Sequence, residues 1–393
     1  MSNSKRPDTR IVHTGSNPKA QKGAVNPPVY RASTVLFPTV QAMKNAEKDK
    51  FDTTYYGVHG TPTTFALEEA MADLEGGYRA VSTSSGLAAI STALISFLKA
   101  GDHLLMTDSA YGPTRNFCNT MLKRFGVETT YYDPMIGAGI VELIKPETKV
   151  IFTESPGSYT FEIQDIPAIT EVARQNNIKV MMDNTWAAGY YFKPFEHGVD
   201  ISIQATTKYQ AGHADLVLGH IIANNEKDWR KLKVNTSTLG QAVSPDVCYL
   251  GLRGLRTLSV RLEQHQETAL TLAKWLSERP EVDTILHPAF PSCPGHEIWQ
   301  RDFTGASGLF SVILKDFSET QVSAMLDGMD YFAMGYSWGG FESLIVASDP
   351  AKIRSATKWQ AAGPLLRLHV GQEDVEDLIA DLERGFDRLN GRA

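Results

Sequence analysis

The chain has 393 residues, 42% hydrophobic and 21% charged, and its 38 Lys+Arg against 45 Asp+Glu give a formal net charge of −7. This is the composition of a globular protein with a large core, and a mildly acidic chain without a long basic cluster offers nucleic acid or an anionic membrane little to hold. The first residues contain no apolar secretion-type segment and no uninterrupted run of about 18 apolar residues occurs. Cys118, Cys248 and Cys293 are widely spaced and odd in number, so no disulfide framework and no metal site is expected, and a cytoplasmic location is.

The first sixty residues have no strong period and carry turn formers at Asn26-Pro27-Pro28, Gly57 and Gly60-Thr61-Pro62. They read as an extended arm with little core of its own, which needs a neighbouring subunit to lie on; a homo-oligomer is expected. Thr64 is the expected N-cap of a helix running through Leu67, Met71 and Leu74 to Gly76-Gly77. Strands then alternate with helices. The expected strands are Ala80 to Thr83, His103 to Thr107, Thr129 to Tyr132, Lys149 to Thr153, Ile178 to Met182 and Ile201 to Ala205. The expected helices are Gly86 to Leu98, Pro113 to Phe125 and Ile166 to Gln175. Such alternation predicts an α/β domain with a mostly parallel sheet covered on both faces. Beyond about Ser244 the pattern changes to a long amphipathic helix through Leu255, Leu262, Leu270 and Leu276, strands over Leu309 to Leu314 and Leu365 to Val370, and a closing helix from Glu373 to Phe386. The expected organisation is an arm (1–60), a large domain (61–250) and a smaller α+β domain (251–393).

Ligands of open α/β sheets bind beyond the C-terminal ends of the strands. Three such ends carry informative residues. Ser82-Thr83-Ser84-Ser85-Gly86-Leu87 runs from a strand into a helix through small side chains, so that amides at the helix start can approach a phosphate; a plain N-cap is the bland alternative. Met182-Asp183-Asn184 ends a buried strand on an acid that needs a partner, unless it is only a cap or turn residue. Thr206-Thr207-Lys208 delivers a lysine that is either an exposed charge or a desolvated nucleophile. A phosphate cradle, an acid and a lysine on one sheet edge match what pyridoxal phosphate requires: anchoring of its phosphate, a carboxylate at the ring nitrogen and an amine for the imine. Neither G-x-G-x-x-G after the first strand nor a P-loop motif is present.

Ser109-Ala110-Tyr111, Glu154-Ser155-Pro156-Gly157-Ser158, Asp183-Asn184-Thr185-Trp186, Thr207-Lys208, Tyr336-Ser337-Trp338-Gly339-Gly340 and Arg367-Leu368-His369 resemble the motifs of the cystathionine-metabolism family of fold-type I pyridoxal phosphate enzymes, most closely its bacterial β-lyase branch. The resemblance runs nearly end to end, from Gly23-Ala24-Val25-Asn26 to Gly371-Gln372-Glu373-Asp374. It implies a seven-stranded, mostly parallel sheet and a homotetramer built from dimers that share active sites. It implies that Lys208 holds the cofactor and is the acid/base of the reaction, that Asp183 pairs with the ring nitrogen and that Tyr111 stacks on the ring and takes part in catalysis. The Gly86 and Leu87 amides and the Thr207 hydroxyl would bind the phosphate, reached also by Tyr56 of the adjacent subunit. Arg367 would clamp the substrate carboxylate, with Trp338, Ser158 and Ser337 around it and Ser337 also positioning Lys208. The activity implied is carbon–sulfur β-elimination on cystathionine.

Two departures keep alternatives open. The family usually has an arginine two residues after Tyr56; here Val58 stands there, followed by His59. The loop expected after Lys233, where the β-lyases often place a tyrosine, reads Val234-Asn235-Thr236-Ser237-Thr238. Loss of a fixed positive charge would weaken phosphate binding unless His59 compensates, and would relieve repulsion of a cationic substrate tail. γ-Elimination of canavanine, giving homoserine and hydroxyguanidine, is therefore an alternative, and a non-catalytic cofactor or amino-acid binding protein a remote one.

Overall fold

The computed structural model describes residues 6–392. Its larger sheet contains β1 (Arg79–Thr83), β2 (His103–Thr107), β3 (Glu128–Tyr132), β4 (Thr148–Glu154), β5 (Lys179–Asp183), β6 (Ile201–Gln204) and β7 (Gly219–Ala223), in the order β1-β7-β6-β5-β4-β2-β3. Pairing is parallel from β6 across to β3, while β7 runs antiparallel to both β6 and β1. The C-terminal ends of β1, β2, β4, β5 and β6 thus share one edge. The sheet is seven-stranded and mostly parallel, as the resemblance implies. Successive side chains enter opposite layers: Leu104, Met106, Val150 and Phe152 pack on one face, Leu105, Ile151, Val180 and Met182 on the other. Both faces are covered, which is why these strands are apolar throughout.

A second, antiparallel sheet is formed by β8 (Val282–Leu286), β9 (Leu309–Leu314), β10 (Leu344–Ser348) and β11 (Leu365–His369), in the order β10-β11-β9-β8. Phe310, Leu366 and Leu368 from this sheet share a core with Leu272, Leu382 and Phe386 from helices. Two contacts tie the sheets together beside the edge just described. The Trp186 indole N–H donates to the Leu309 carbonyl at 2.8 Å. The Asp108 carboxylate accepts from the Ser355, Ala356 and Thr357 amides at 2.8–3.1 Å.

Several boundaries differ from expectation. The helix expected to start after Thr64 spans Pro62–Glu75, with Thr61 at its N-cap position; proline's fixed φ suits the first helical turn. The single long helix expected through Leu255 and Leu276 is two, Pro245–Leu255 and Leu258–Ser277. Leu252, Leu255, Leu258 and Leu262 all enter one core cluster, so the apolar period carries straight over the break. Position 250 lies inside the first of these helices. Residues 234–238, expected as a loop, are the last turn of the helix Glu226–Thr238. The arm is not wholly extended: it holds the short helices Pro7–His13 and Val40–Lys48. The second buries none of its residues, and Leu36 beside it is 89% exposed.

Candidate active site

The shared edge of the large sheet and the loop before β10 enclose a cavity of about 340 Å³. Gly86, Leu87, Tyr111, Ser158, Asp183, Thr207, Lys208, Ser337, Trp338 and Arg367 all line it. Ten of the eleven site residues expected from the sequence therefore converge. Tyr56 does not: it is 46% exposed and outside this lining, on the arm loop.

The helix Gly86–Phe97 begins at one wall. Ser85 caps it, its hydroxyl accepting from the Ala88 amide at 3.0 Å, while the Ala89 amide bonds to the Ser85 carbonyl. The amides of Gly86 and Leu87 have no partner among the described residues and stand at the positive end of the helix, a seat for an anion. A Cβ on Gly86 would lie 2.6 Å from the Ala205 Cβ, so only glycine lets the helix start this close to the end of β6. The Thr207 hydroxyl is engaged with Leu218, donating to its carbonyl at 3.1 Å and accepting from its amide at 2.9 Å. It must turn its proton to meet a phosphate.

Asp183 ends β5. Its Oδ1 accepts from the Thr185 amide at 3.0 Å and the Thr185 hydroxyl at 2.5 Å, and Oδ2 has no partner among the described residues. Burial raises its pKa above the ordinary carboxylate value against the Thr185 bonds and Lys208, so a cationic ring N–H at Oδ2 would favour the ionised form. On the parallel neighbour β4, Glu154 stands in register with Asp183. Glu154 Oε2 accepts from the Tyr111 amide at 2.7 Å, and burial together with Asp183 holds its pKa well above the usual range. Two buried acids side by side disfavour each other's charge, and the larger push toward the protonated form falls on Glu154.

Lys208 donates from Nζ to the Ser337 hydroxyl at 2.6 Å and lies 5.0 Å from the centre of a Trp338 ring. Burial and the nearby Arg367 cation lower its pKa to about 8, partly opposed by Asp183. Ser337 has a left-handed backbone, φ 76, and Gly339 follows at φ 85; a Cβ on Gly339 would meet the Tyr209 and Lys208 backbone at 2.8–3.0 Å. The loop is therefore pressed against the lysine. Arg367, on β11, is buried. It donates to the Ser337 carbonyl at 3.1 Å and keeps an unpartnered, buried Nε. An orphaned guanidinium donor beside a cavity is costly unless a ligand oxygen completes it.

The departures at the arm also take shape. His59 bonds to the Ser237 hydroxyl at 3.2 Å, and its ring meets Phe51 edge-on at 5.5 Å. Burial, then Lys50 and Lys233, lower its pKa, so at pH 7 it supplies no positive charge in place of an arginine. Glu154 and Thr185 lie within the motifs of the sequence, where the resemblance assigns neither a role. The signal for Glu154 was present, since it closes an apolar strand just as Asp183 does.

Across residues 8–387 the chain matches the model of the Cys/Met metabolism PLP-dependent enzymes. The chain belongs to this family. Pyridoxal phosphate is its cofactor, and the amide seat, the Asp183 carboxylate and the Lys208 amine fit the cofactor's three attachment points. The chain is 52% identical over 383 residues to the putative cystathionine beta-lyase of Rhizobium johnstonii, covering 96% of this chain and 95% of that one. It is 48% identical over 388 residues to the cystathionine beta-lyase of Haemophilus influenzae, covering 97% and 98%. It superposes with a TM-score of 0.90, at 31% identity and full coverage of both chains, on the crystal structure of cystathionine gamma synthase from Xanthomonas oryzae pv. oryzae in complex with aminoacrylate and cysteine.

Proposed function

We propose that this enzyme is a carbon–sulfur lyase that eliminates homocysteine from cystathionine, with one water consumed and pyruvate and ammonia formed. The observation that carries the reading is the convergence of an amine and a guanidinium on one cavity: Lys208, with its lowered pKa, is suited to act at Cα, and Arg367, with its Nε unpartnered among the described residues, to take the α-carboxylate. The similarity to named β-lyases supports the choice of leaving group. When bound, pyridoxal phosphate supplies an electron sink that acidifies the Cα proton of an attached amino acid. The chain's own groups do the rest. Gly86 and Leu87 amides and the Thr207 hydroxyl hold the phosphate, and Asp183 keeps the ring nitrogen protonated. Tyr111 covers the ring. The Ser337 hydroxyl orients Lys208 Nζ, which takes the Cα proton and returns it to the departing sulfur. Arg367 fixes the carboxylate while Trp338 and Ser158 wall the pocket. Tyr56 reaches the phosphate of a neighbouring subunit, so the assembly is a homo-oligomer, a tetramer of two site-sharing dimers, located in the cytoplasm.

One observation favours a second substrate. Lys208 and Arg367 are the only cations among the described cavity residues, Val58 replaces a charge and His59 is neutral. A cationic substrate tail meets no third fixed charge there, which suits canavanine, cleaved with water to homoserine and hydroxyguanidine. Incubating the purified enzyme with each compound separates the readings. Pyruvate and homocysteine from cystathionine at the higher kcat/KM support the first. Homoserine and hydroxyguanidine from canavanine at the higher kcat/KM support the second, and neither pair of products removes both.

A further inference from the structure

The loop between β4 and the helix Ile166–Gln175 carries two non-glycine residues with left-handed backbones, Tyr159 at φ 65 and Phe161 at φ 57. Such conformations are strained for side chains of this size and persist where the surroundings impose them. Here they are imposed by a charged clamp. Arg354 donates to the Thr160 hydroxyl at 2.5 Å and to Glu162 at 2.6 Å, and the Thr160 hydroxyl donates to the other Glu162 oxygen at 2.5 Å. The turn is closed by the Phe161 amide on the Gly157 carbonyl and the Gly157 amide on the Glu162 carbonyl, both at 3.0 Å.

This clamp turns the Tyr159 ring into the active-site cavity, where the Arg367 guanidinium carbon lies 5.3 Å from the ring centre. No described residue hydrogen-bonds the phenol, so the contact rests on the ring. Among the described residues Arg367 itself has one hydrogen bond, to the Ser337 carbonyl, and an orphaned Nε. A long side chain held by one bond needs a second constraint to keep its fork aimed. We propose that Tyr159 is a positioning residue for substrate recognition: its ring holds the Arg367 guanidinium in the orientation that takes the α-carboxylate. This rests on the reading of Arg367 as the carboxylate clamp.

The test uses the holoenzyme and L-alanine, which has no leaving group, so that binding is followed by the cofactor absorbance without elimination. Tyr159→Leu removes the ring. Tyr159→Asn does so with a side chain at ease at positive φ and carries the test should the leucine variant fail to fold. Either is expected to weaken L-alanine binding by about 3- to 30-fold, the range of a partly desolvated cation–π contact. Cofactor content and Tm should stay unchanged. Tyr159→Phe should bind within about 2-fold of the parent, because the phenol oxygen is unpartnered. Binding of L-alaninamide, which lacks the carboxylate, should not change in any variant. Equal losses for L-alanine and its amide, or no loss for either, overturn the proposal. Arg367→Lys separates the two levels: if it leaves L-alanine binding intact, the clamp reading itself fails, whereas a loss there with none in the Tyr159 variants removes only the role of Tyr159.

Discussion

Lys208 and Glu154 show how burial sets the protonation that the site needs. The lysine's lowered pKa, about 8, makes the neutral, nucleophilic amine available near physiological pH. Reconstitution of apoenzyme with pyridoxal phosphate should therefore accelerate with rising pH and level off just above about 8. A rate still climbing to about pH 10, where an ordinary lysine titrates, would show that the amine is not desolvated. Burial pushes Glu154 toward its neutral form, so Glu154→Gln should keep kcat/KM within about 3-fold while Glu154→Ala, which frees the Tyr111 amide, should lose about 10-fold, as steady-state kinetics would report. A collapse of the glutamine variant would mean that a charge is needed. At the arm, Val58→Arg should tighten cofactor retention about tenfold in equilibrium dialysis by restoring a charge-assisted bond to phosphate. Asp183 and Lys208 were legible in the sequence because charged residues at the ends of apolar strands demand a reason, whereas Arg367 was legible only through the family resemblance. Tyr159 was not, since its role comes from a backbone conformation imposed by Arg354, 195 positions away in the chain.

The strand-to-helix connection at Ser85-Gly86 has one geometric requirement, the close approach of the helix Gly86–Phe97 to Ala205. Gly86→Ala should push the two apart at a cost of about 1–3 kcal/mol, weakening cofactor affinity by roughly 5- to 150-fold, a loss that fluorescence titration of the apoenzyme would measure. Unchanged affinity would mean that the amide seat is not where the phosphate sits. Six strands of the large sheet were readable, the central ones from their apolar runs and β3 from its β-branched and aromatic Thr129-Thr130-Tyr131-Tyr132. β7 was passed over: it opens on Gly219-His220, and His220 is buried by hydrogen bonds to Ser82 at 3.1 Å and Thr206 at 2.6 Å, a match of side chains no local pattern announces. The break between Leu255 and Leu258 was hidden for a different reason, the apolar period continuing across it.

The whole molecule brings residues from both sheets to one cavity, Arg367 from β11, Ser337 from the loop before β10, and Asp183 and Lys208 from the edge of the large sheet. The arm exposes Leu36, carries a helix with no buried residue and keeps Tyr56 outside its own chain's cavity. Mixing inactive Tyr56→Ala and Lys208→Ala subunits should restore about a quarter of the parent activity, since half of randomly paired dimers are mixed and each holds one intact shared site. No recovery after subunit exchange would place Tyr56 and Lys208 in the same site of one subunit. The account's central claim is that amine, acid and anion seat grip one cofactor. Borohydride reduction of the purified holoenzyme, followed by digestion and mass spectrometry, tests it most directly. The pyridoxyl group should be found on Lys208 alone, with the Lys208→Ala protein unlabelled and inactive; a label on another lysine, or full activity without Lys208, would contradict it.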